Sequence, residues 1–347
     1  MTPERLSSLI TQFSTRRVAI IGDFFLDKYL EVDDKRAEIS LETGKMAHQV
    51  VEVRCSPGAA GNVVSNLSAL GAGTLHALGF LGDDGEAFDL VKQLHELRCS
   101  TDGLIRVPGR MTPTYLKPRT AGIPGIEGEH KRYDTKNRAA TPAKIERHII
   151  DFLDALLPEL DAVIVIDQVE EGNCGVVTDA VRNALAERAR TYADVIFFAD
   201  SRFRILQFRN MVIKPNQFEL FGIENPSQND EVAQDDIADS IRKLRKKVNG
   251  PICVTCGARG IFISDPDPVE VRGVRVAGKI DPTGAGDSVT AGMVAAMASG
   301  ADLYEAAVVG NLVASVTVQQ LGICGTCRAD RLMAPLEMWL SQGKSDE

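Results

Sequence analysis

Short apolar runs rich in β-branched residues alternate along this chain with segments of helical periodicity. That alternation restricts the fold more than any other property of the sequence. Arg17-Val-Ala-Ile-Ile-Gly22, Ala162-Val-Ile-Val-Ile166 and Asp194-Val-Ile-Phe-Phe-Ala199 read as buried strands, and Ile252 to Thr255 as a further one. Helical patterns from Val176 to Arg190 and from Glu231 to Val248 fall between them. Strand, helix and strand in repetition specify βαβ units and a largely parallel sheet covered on both faces. Such a sheet binds ligands at the carboxyl ends of its strands, near the point where the strand order reverses.

Two segments depart from that rhythm. Residues from about 27 to 55 and from about 112 to 134 are polar, with alternating stretches such as His48-Gln-Val-Val-Glu-Val-Arg54 and Thr114-Tyr-Leu-Lys-Pro-Arg119. Alternation of that kind belongs to strands with one solvated face, so a small accessory sheet is expected, serving as a lid or a dimer contact. No linker, repeat or low-complexity tract divides the 347 residues, which read as a single domain, 1–347, carrying that lid. A net charge of −9 speaks against a broad nucleic-acid or membrane footprint. Leu6, Ile10 and Phe13 make the N-terminus a short amphipathic helix and not a secretion signal. No run of about 18 apolar residues occurs, so no membrane span is expected and the protein reads as cytoplasmic. The seven cysteines are odd in number and scattered, which excludes a disulfide framework. Cys253 and Cys256 fall in a strand, where such spacing points them to opposite faces, unsuited to sharing one zinc ion.

The chemistry concentrates in Asp281-Pro-Thr-Gly-Ala-Gly-Asp-Ser288. A glycine turn opening a helix, here over Ser288 to Ser299, aims unpaired N–H groups and the positive end of the helix dipole at one point. Gly284, Ala285 and Gly286 thus form an anion hole, and the carboxylate of Asp287 stands at its mouth. Anion hole plus base is what phosphoryl transfer to a hydroxyl requires. The P-loop pattern and a complete Gly-x-Gly-x-x-Gly are both absent. Gly58-Ala-Ala-Gly-Asn62 precedes a helix from Val63 to Leu70, and Asn62 offers a hydroxyl both a donor and an acceptor, or simply starts the helix. Asp27 either binds paired sugar hydroxyls or caps a turn. Asn216 and Glu219 suit water-mediated magnesium and phosphate contacts, or a capping box. Thr255-Cys-Gly-Ala-Arg-Gly260 is a phosphate cradle or a plain hairpin turn.

The order of these motifs resembles that of the PfkB, or ribokinase-like, carbohydrate kinases, from about Arg17 to Arg331. That family carries a small-residue motif ending in Asn, then Asn-x-x-Glu, Thr-x-Gly-x-x-Gly and Asp-x-Thr-Gly-Ala-Gly-Asp. Its first motif is usually Gly-Gly-x-x-x-Asn, where this chain has Gly58-Ala-Ala-Gly-Asn62. The resemblance implies an α/β fold: a ribokinase-like three-layer α/β/α sandwich with a mostly parallel central sheet and a small β lid. It implies ATP, Mg²⁺ and, in several members, K⁺. Asp287 becomes the catalytic base. Asn216, Glu219, Thr255, Gly257, Gly260 and Asn311 become nucleotide contacts, with Glu219 also reaching magnesium through water. Asp281 and Thr283 hold the monovalent cation, and Asp27, Gly58, Asn62 and Arg132 contact the sugar.

Within the family, Gly22-Asp-Phe-Phe-Leu-Asp-Lys-Tyr29, Ser56-Pro-Gly58 and Arg132-Tyr-Asp134 are similar to the bacterial heptose-7-phosphate kinases. Thr43-Gly-Lys-Met-Ala-His48 and the loop from Gly122 to Gly128 depart from them. If the sugar carries a phosphate, Lys117, Arg119, Lys131 and Arg132 are its candidate anchors. The length leaves no room for a following nucleotidyltransferase half, so a bifunctional chain is not expected. The expected partners are a small sugar or sugar phosphate and a second copy docked through the lid. The alternatives are a non-catalytic sugar- or nucleotide-binding regulator, or a kinase acting on a nucleoside or vitamin-like alcohol.

Overall fold

A computed structural model describes residues 1–123, 126–223, 225–227, 230–264 and 266–344, so Pro124 and Gly125 of the 122–128 loop lie outside the described residues. Helix α1 (Pro3–Phe13) opens the chain, capped by the Thr2 hydroxyl, which accepts from the Arg5 N–H at 3.2 Å. Strands β1 (Arg17–Gly22), β2 (Phe24–Ile39) and β3 (Met46–Ala59) lead into α2 (Ala60–Leu70). β4 (Thr74–Gly82), α3 (Gly85–Glu96), β5 (Cys99–Val107), β6 (Thr114–Thr120) and β7 (Tyr133–Thr135) follow. Next come α4 (Ala143–Leu156), β8 (Ala162–Asp167), α5 (Asp179–Thr191), β9 (Ile196–Ser201), β10 (Val212–Ile213) and α6 (Gln234–Val248). The chain continues with β11 (Ile252–Thr255), β12 (Gly260–Ser264), β13 (Pro268–Arg272), α7 (Ala285–Ala298), α8 (Leu303–Thr317) and α9 (Met333–Lys344).

The central sheet has the order β13-β12-β11-β10-β9-β8-β1-β4-β5. Strands from β11 across to β5 are parallel, and β12 and β13 close one edge as an antiparallel hairpin. Side-chain alternation divides the core into the two outer layers. Val18 and Ile20 of β1 join Ile164 and Ile166 of β8 in a cluster under α1, α2, α7 and α8. Ala19, Ile21, Val163 and Val165 pack on the opposite face against α4, α5 and α6. Both faces being covered explains why these strands read as continuous apolar runs.

Four strands form a separate small sheet in the order β3-β2-β6-β7, with β2 parallel to β6 and antiparallel to β3. β1 and β2 are separated by Asp23 alone, so the small sheet springs directly from the central one. It overhangs the carboxyl ends of β1 and β8, where the strand order reverses and a crevice is expected.

Some helix starts differ from the sequence reading. α2 begins at Ala60, three residues before Val63, because Gly61 sits where any Cβ would collide with Pro57. α5 begins only at Asp179, because the Thr178 hydroxyl caps the Val181 N–H at 3.2 Å and leaves Val176 and Val177 in the preceding loop.

Candidate active site

The first turn of α7 is built as its residues demand. Gly284 caps the helix at φ 76°, a left-handed conformation that glycine adopts without strain. Asp287 follows in the first turn. Of the three residues expected to form the anion hole, Ala285 donates its N–H to the Pro282 carbonyl at 3.0 Å and so does not offer it to a ligand, because the turn closes on itself there before the helix begins. The helix is fixed from behind by close packing on α8. A Cβ on Gly292 would lie 3.2 Å from the Gly310 Cα, and one on Gly310 would lie 2.8 Å from the Met293 Cγ.

α2 arrives from the other side. The Asn62 amide donates to Asp287 Oδ2 at 3.1 Å, joining residues that are 225 positions apart. Burial, then the negative charge of Asp200, push the Asp287 carboxyl up to about 7, against the opposing pull of Lys214 and Asn62. Lys214, at the end of β10, is 3% exposed and its Nζ pairs with Asp200 Oδ2 at 2.8 Å. Thr290 Oγ1 donates to that same oxygen at 3.2 Å. A Cβ at Gly286 would lie 3.6 Å from Lys214 Nζ, so the ammonium sits beside the anion hole. Burial alone would lower the Lys214 pKa, but Asp200 outweighs it and the net shift is upward. The lysine is therefore charged.

Asn216 and Glu219 adopt the capping-box geometry. Asn216 Oδ1 accepts from the N–H of Phe218 and of Glu219, and Glu219 Oε2 accepts from the Asn216 N–H, all at 2.8 Å. Burial and the neighbouring Asp200 raise the Glu219 carboxyl to about 7. Thr255, Gly257, Gly260 and Asn311 line a largely apolar cleft of about 340 Å³ together with Val274 and Val276. The Asn311 amide donates at 3.1 Å to the carbonyls of both Val271 and Arg272, tying α8 to β13 beneath that cleft.

On the lid, Asp27 is 4% exposed and its Oδ1 pairs with Lys117 Nζ at 3.0 Å. A Cβ on Gly58 would approach Asp27 Oδ2 to 3.2 Å, so the glycine leaves room beside that oxygen. Ala59 holds φ 52° and ψ −118°, costly for any residue bearing a Cβ. Ala59→Gly is expected to stabilise the protein by about 1 kcal/mol, the strain relieved less the added freedom of the unfolded chain. A urea midpoint that stays put or falls would show that Ala59 is unstrained.

Arg132 stacks 4.2 Å over the Tyr115 ring and pairs with Asp134. It borders a cavity of about 150 Å³ that also receives Lys136, Arg202, Phe25 and Gln168. Lys117 is engaged by Asp27, Arg119 lies 3.7 Å from Glu31, and Lys131 is exposed. Of the candidate phosphate anchors, Arg132 is the one that lines this cavity. Asp281 secures its own loop by accepting from Thr283 N–H at 3.0 Å and from Gly322 N–H at 2.9 Å. Among the described residues no cluster of three or more His, Cys, Asp or Glu is placed to hold a metal ion, and no helix is long and apolar enough to cross a membrane.

Sequence reasoning missed four groups. Lys214 and Asp200 carried only the signal of a charged residue at the end of an apolar strand. Asp23 accepts the N–H groups of Val176, Gln168 and Val169 at 2.8, 2.9 and 3.1 Å and so fixes the cavity floor. The Cys324 sulfur lies 3.5 Å from where a Gly284 Cβ would be, its thiol pushed up to about 11 by burial and then by Asp27 and Asp287.

Residues 16–329 match the family described as pfkB family carbohydrate kinase. The chain is 27% identical over 337 residues to the bifunctional protein HldE of Desulfatibacillum aliphaticivorans, covering 95% of this chain and 65% of that protein. The chain thus spans just under two thirds of that relative's length. The fold is similar to Escherichia coli phosphofructokinase-2 in complex with potassium (TM-score 0.67, 18% identity, 94% of this chain and 99% of that one). It is similar also to Arabidopsis thaliana ribokinase complexed with ribose and ATP (TM-score 0.66, 16% identity, 93% and 99%).

Proposed function

Because the chain belongs to the pfkB family of carbohydrate kinases, we propose that it transfers the γ-phosphoryl group of ATP to a hydroxyl of a phosphorylated sugar, with Asp287 as the base. The observation that carries this reading is the Asn62–Asp287 pair, poised between the α7 anion hole and the lid carboxylate Asp27. ATP occupies the cleft lined by Thr255, Gly257, Gly260 and Asn311, with its phosphates toward α7. The sugar lies under the lid against Asp27, Gly58 and Asn62. Asp287 takes the hydroxyl proton as the oxygen attacks the γ-phosphorus, the bond to the bridging oxygen breaks, and ADP leaves with that electron pair. The N–H groups of Gly284 and Gly286 and the Lys214 ammonium neutralise charge on the group in flight.

Magnesium would enter with the nucleotide and offset the charge of its phosphates, and Glu219 and Asp200 would be the carboxylates to hold it, through water. Asp281 and Thr283 match the positions that hold a monovalent cation in several family members, and potassium is the ion to test there. An acceptor that already bears a phosphate would meet Arg132, Lys136 and Arg202 in the cavity, in competition with the Asp134 and Glu170 carboxylates that pair with the first two, and a heptose 7-phosphate is the first candidate. Met46, Val50, Val51 and Val53 expose apolar side chains on the lid hairpin, a surface suited to a second copy of the chain. The free cysteines fit a reducing, cytoplasmic setting.

ADP release measured over pentoses, hexoses, their phosphates and heptose 7-phosphate, with and without potassium, tests the reading. Turnover is expected with a phosphorylated sugar above that with its unphosphorylated parent. Nucleotide binding without turnover on any acceptor would point to a regulator instead. The pH dependence carries a second expectation. A base must be ionised, and the Asp287 carboxyl titrates at about 7. Therefore kcat/KM rises about tenfold per pH unit below that value and levels off above it. A profile flat down to about pH 5.5 would remove Asp287 from the role.

A further inference from the structure

No residue of the helix α9 lines the candidate nucleotide cleft, yet the helix grips one wall of it. Residues 273–276, which run on from β13, line the cleft assigned above to the nucleotide. Trp339 Nε1 donates to the Arg272 carbonyl at 2.9 Å, and Arg272 Nη2 donates back to the Trp339 carbonyl at 2.7 Å. The Arg272 guanidinium lies 4.3 Å over the indole, a cation–π stack. One turn on, the Gln342 amide makes a reciprocal pair with the Arg275 backbone, accepting from its N–H at 3.0 Å and donating to its carbonyl at 2.9 Å. Gly343 completes the grip, because any Cβ there would collide with the Arg272 guanidinium.

β13 ends at Arg272, the Gly273 N–H still donates to the Arg259 carbonyl at 2.9 Å, and two residues farther on side chains from α9 hold the backbone. Gln342 pairs with the backbone of Arg275 much as a neighbouring strand would. Arg275 itself lines the cleft, as do Val274 and Val276 on either side of it.

We propose that α9 is a clamp on the nucleotide site: Trp339 and Gln342 are positioning residues that hold 272–276 in the ATP-binding conformation. The inference rests on the cleft being the ATP site. Docking of α9 and binding of nucleotide are then reciprocally linked, each tightening the other. The chain has one tryptophan, and it sits in the clamp.

Calorimetric titration with ADP and steady-state kinetics on wild type, Gln342→Ala and Gly343→Ala test this. Losing the paired hydrogen bonds of Gln342 should weaken ADP binding and raise KM for ATP about fivefold or more. The acceptor KM and kcat at saturating ATP should stay within about twofold. Gly343→Ala reaches the same wall by a different contact and should show the same split. In wild type, saturating ADP should shift the Trp339 emission, and the sugar acceptor should not. Wild-type protein that binds no ADP would overturn the nucleotide-site assignment itself. Wild type that binds ADP while both variants bind it equally well would overturn the clamp alone. Variants that lose kcat and both KM values together would also overturn it, by showing a merely structural role.

Discussion

Asp287→Asn should lower kcat by about 10²–10⁴-fold, the usual contribution of a positioned base, while ADP binding changes little. The substitution keeps shape and size, so the turn at Gly284 to Gly286 survives. Stability supplies an independent readout. Burial and Asp200 raise the folded-state carboxyl to about 7, well above the ordinary value near about 4. A carboxyl with a raised folded-state pKa contributes stability that is present below its unfolded-state pKa and is lost as pH rises through the folded-state value. Above pH 7 the wild type therefore carries a charge that the fold resists, and the variant does not. Melting temperatures of the two proteins should diverge in favour of Asp287→Asn as pH rises from about 5 to 8. Near-normal turnover, or curves that stay parallel, would show that Asp287 neither acts as base nor bears that burden.

Lys214→Met should be damaging in two separable ways. Removing the ammonium leaves Asp200 as an unpaired, largely buried carboxylate beside Glu219 and Asp287, and breaking such a pair costs about 3–5 kcal/mol. It also removes the positive charge next to Gly286, for which a loss of about 10²–10³ in kcat is expected. The double variant Lys214→Met, Asp200→Asn, compared with Asp200→Asn alone, separates the effects, because it deletes both members of the pair while the single variant fixes what the loss of Asp200 costs. Its urea midpoint should return most of the way to wild type while its kcat stays low. A double variant that regains activity along with stability would reduce Lys214 to a structural role.

Much of this arrangement could be read from the chain, and the rest has identifiable reasons for being hidden. β1 and β8 are buried on both faces, so their sequences are uninterrupted apolar runs and announce themselves. The α7 turn is likewise local: its glycines and Asp287 act through backbone geometry within a few residues. The Lys214–Asp200 pair is not local, since it depends on β9 and β10 lying side by side with their ends level. Asn62 could be singled out by its neighbours, but its bond to Asp287 arises only when α2 and α7 pack together. The start of α2 lies earlier than its apolar periodicity indicates because Gly61 is a poor helix former, and its close approach to Pro57 is not visible in the sequence. The α9 grip was invisible for a related reason. Tryptophan, glutamine and glycine in a terminal helix read as ordinary packing until Arg272 and Arg275 are found against them.

The single residue between β1 and β2 has a mechanical meaning. Asp23 spends its N–H on the Ile166 carbonyl at 3.1 Å and its own carbonyl on the Ala60 N–H at 3.1 Å, while its carboxylate takes the three N–H groups of the 168–176 loop. A joint whose every polar atom is spoken for behaves as a weld and not as a hinge. Rotating the small sheet about that point would tear bonds to β8, to α2 and to the cavity floor at once. Any displacement of the small sheet would therefore have to come from flexing along β2 and β3 farther out, toward the hairpin tip. Asp27, four residues from the weld, and Asn62, two residues from the bonded Ala60, then keep a fixed spacing whether the tip is raised or lowered. The side of the crevice proposed to take the sugar is thus gauged by the frame of the protein.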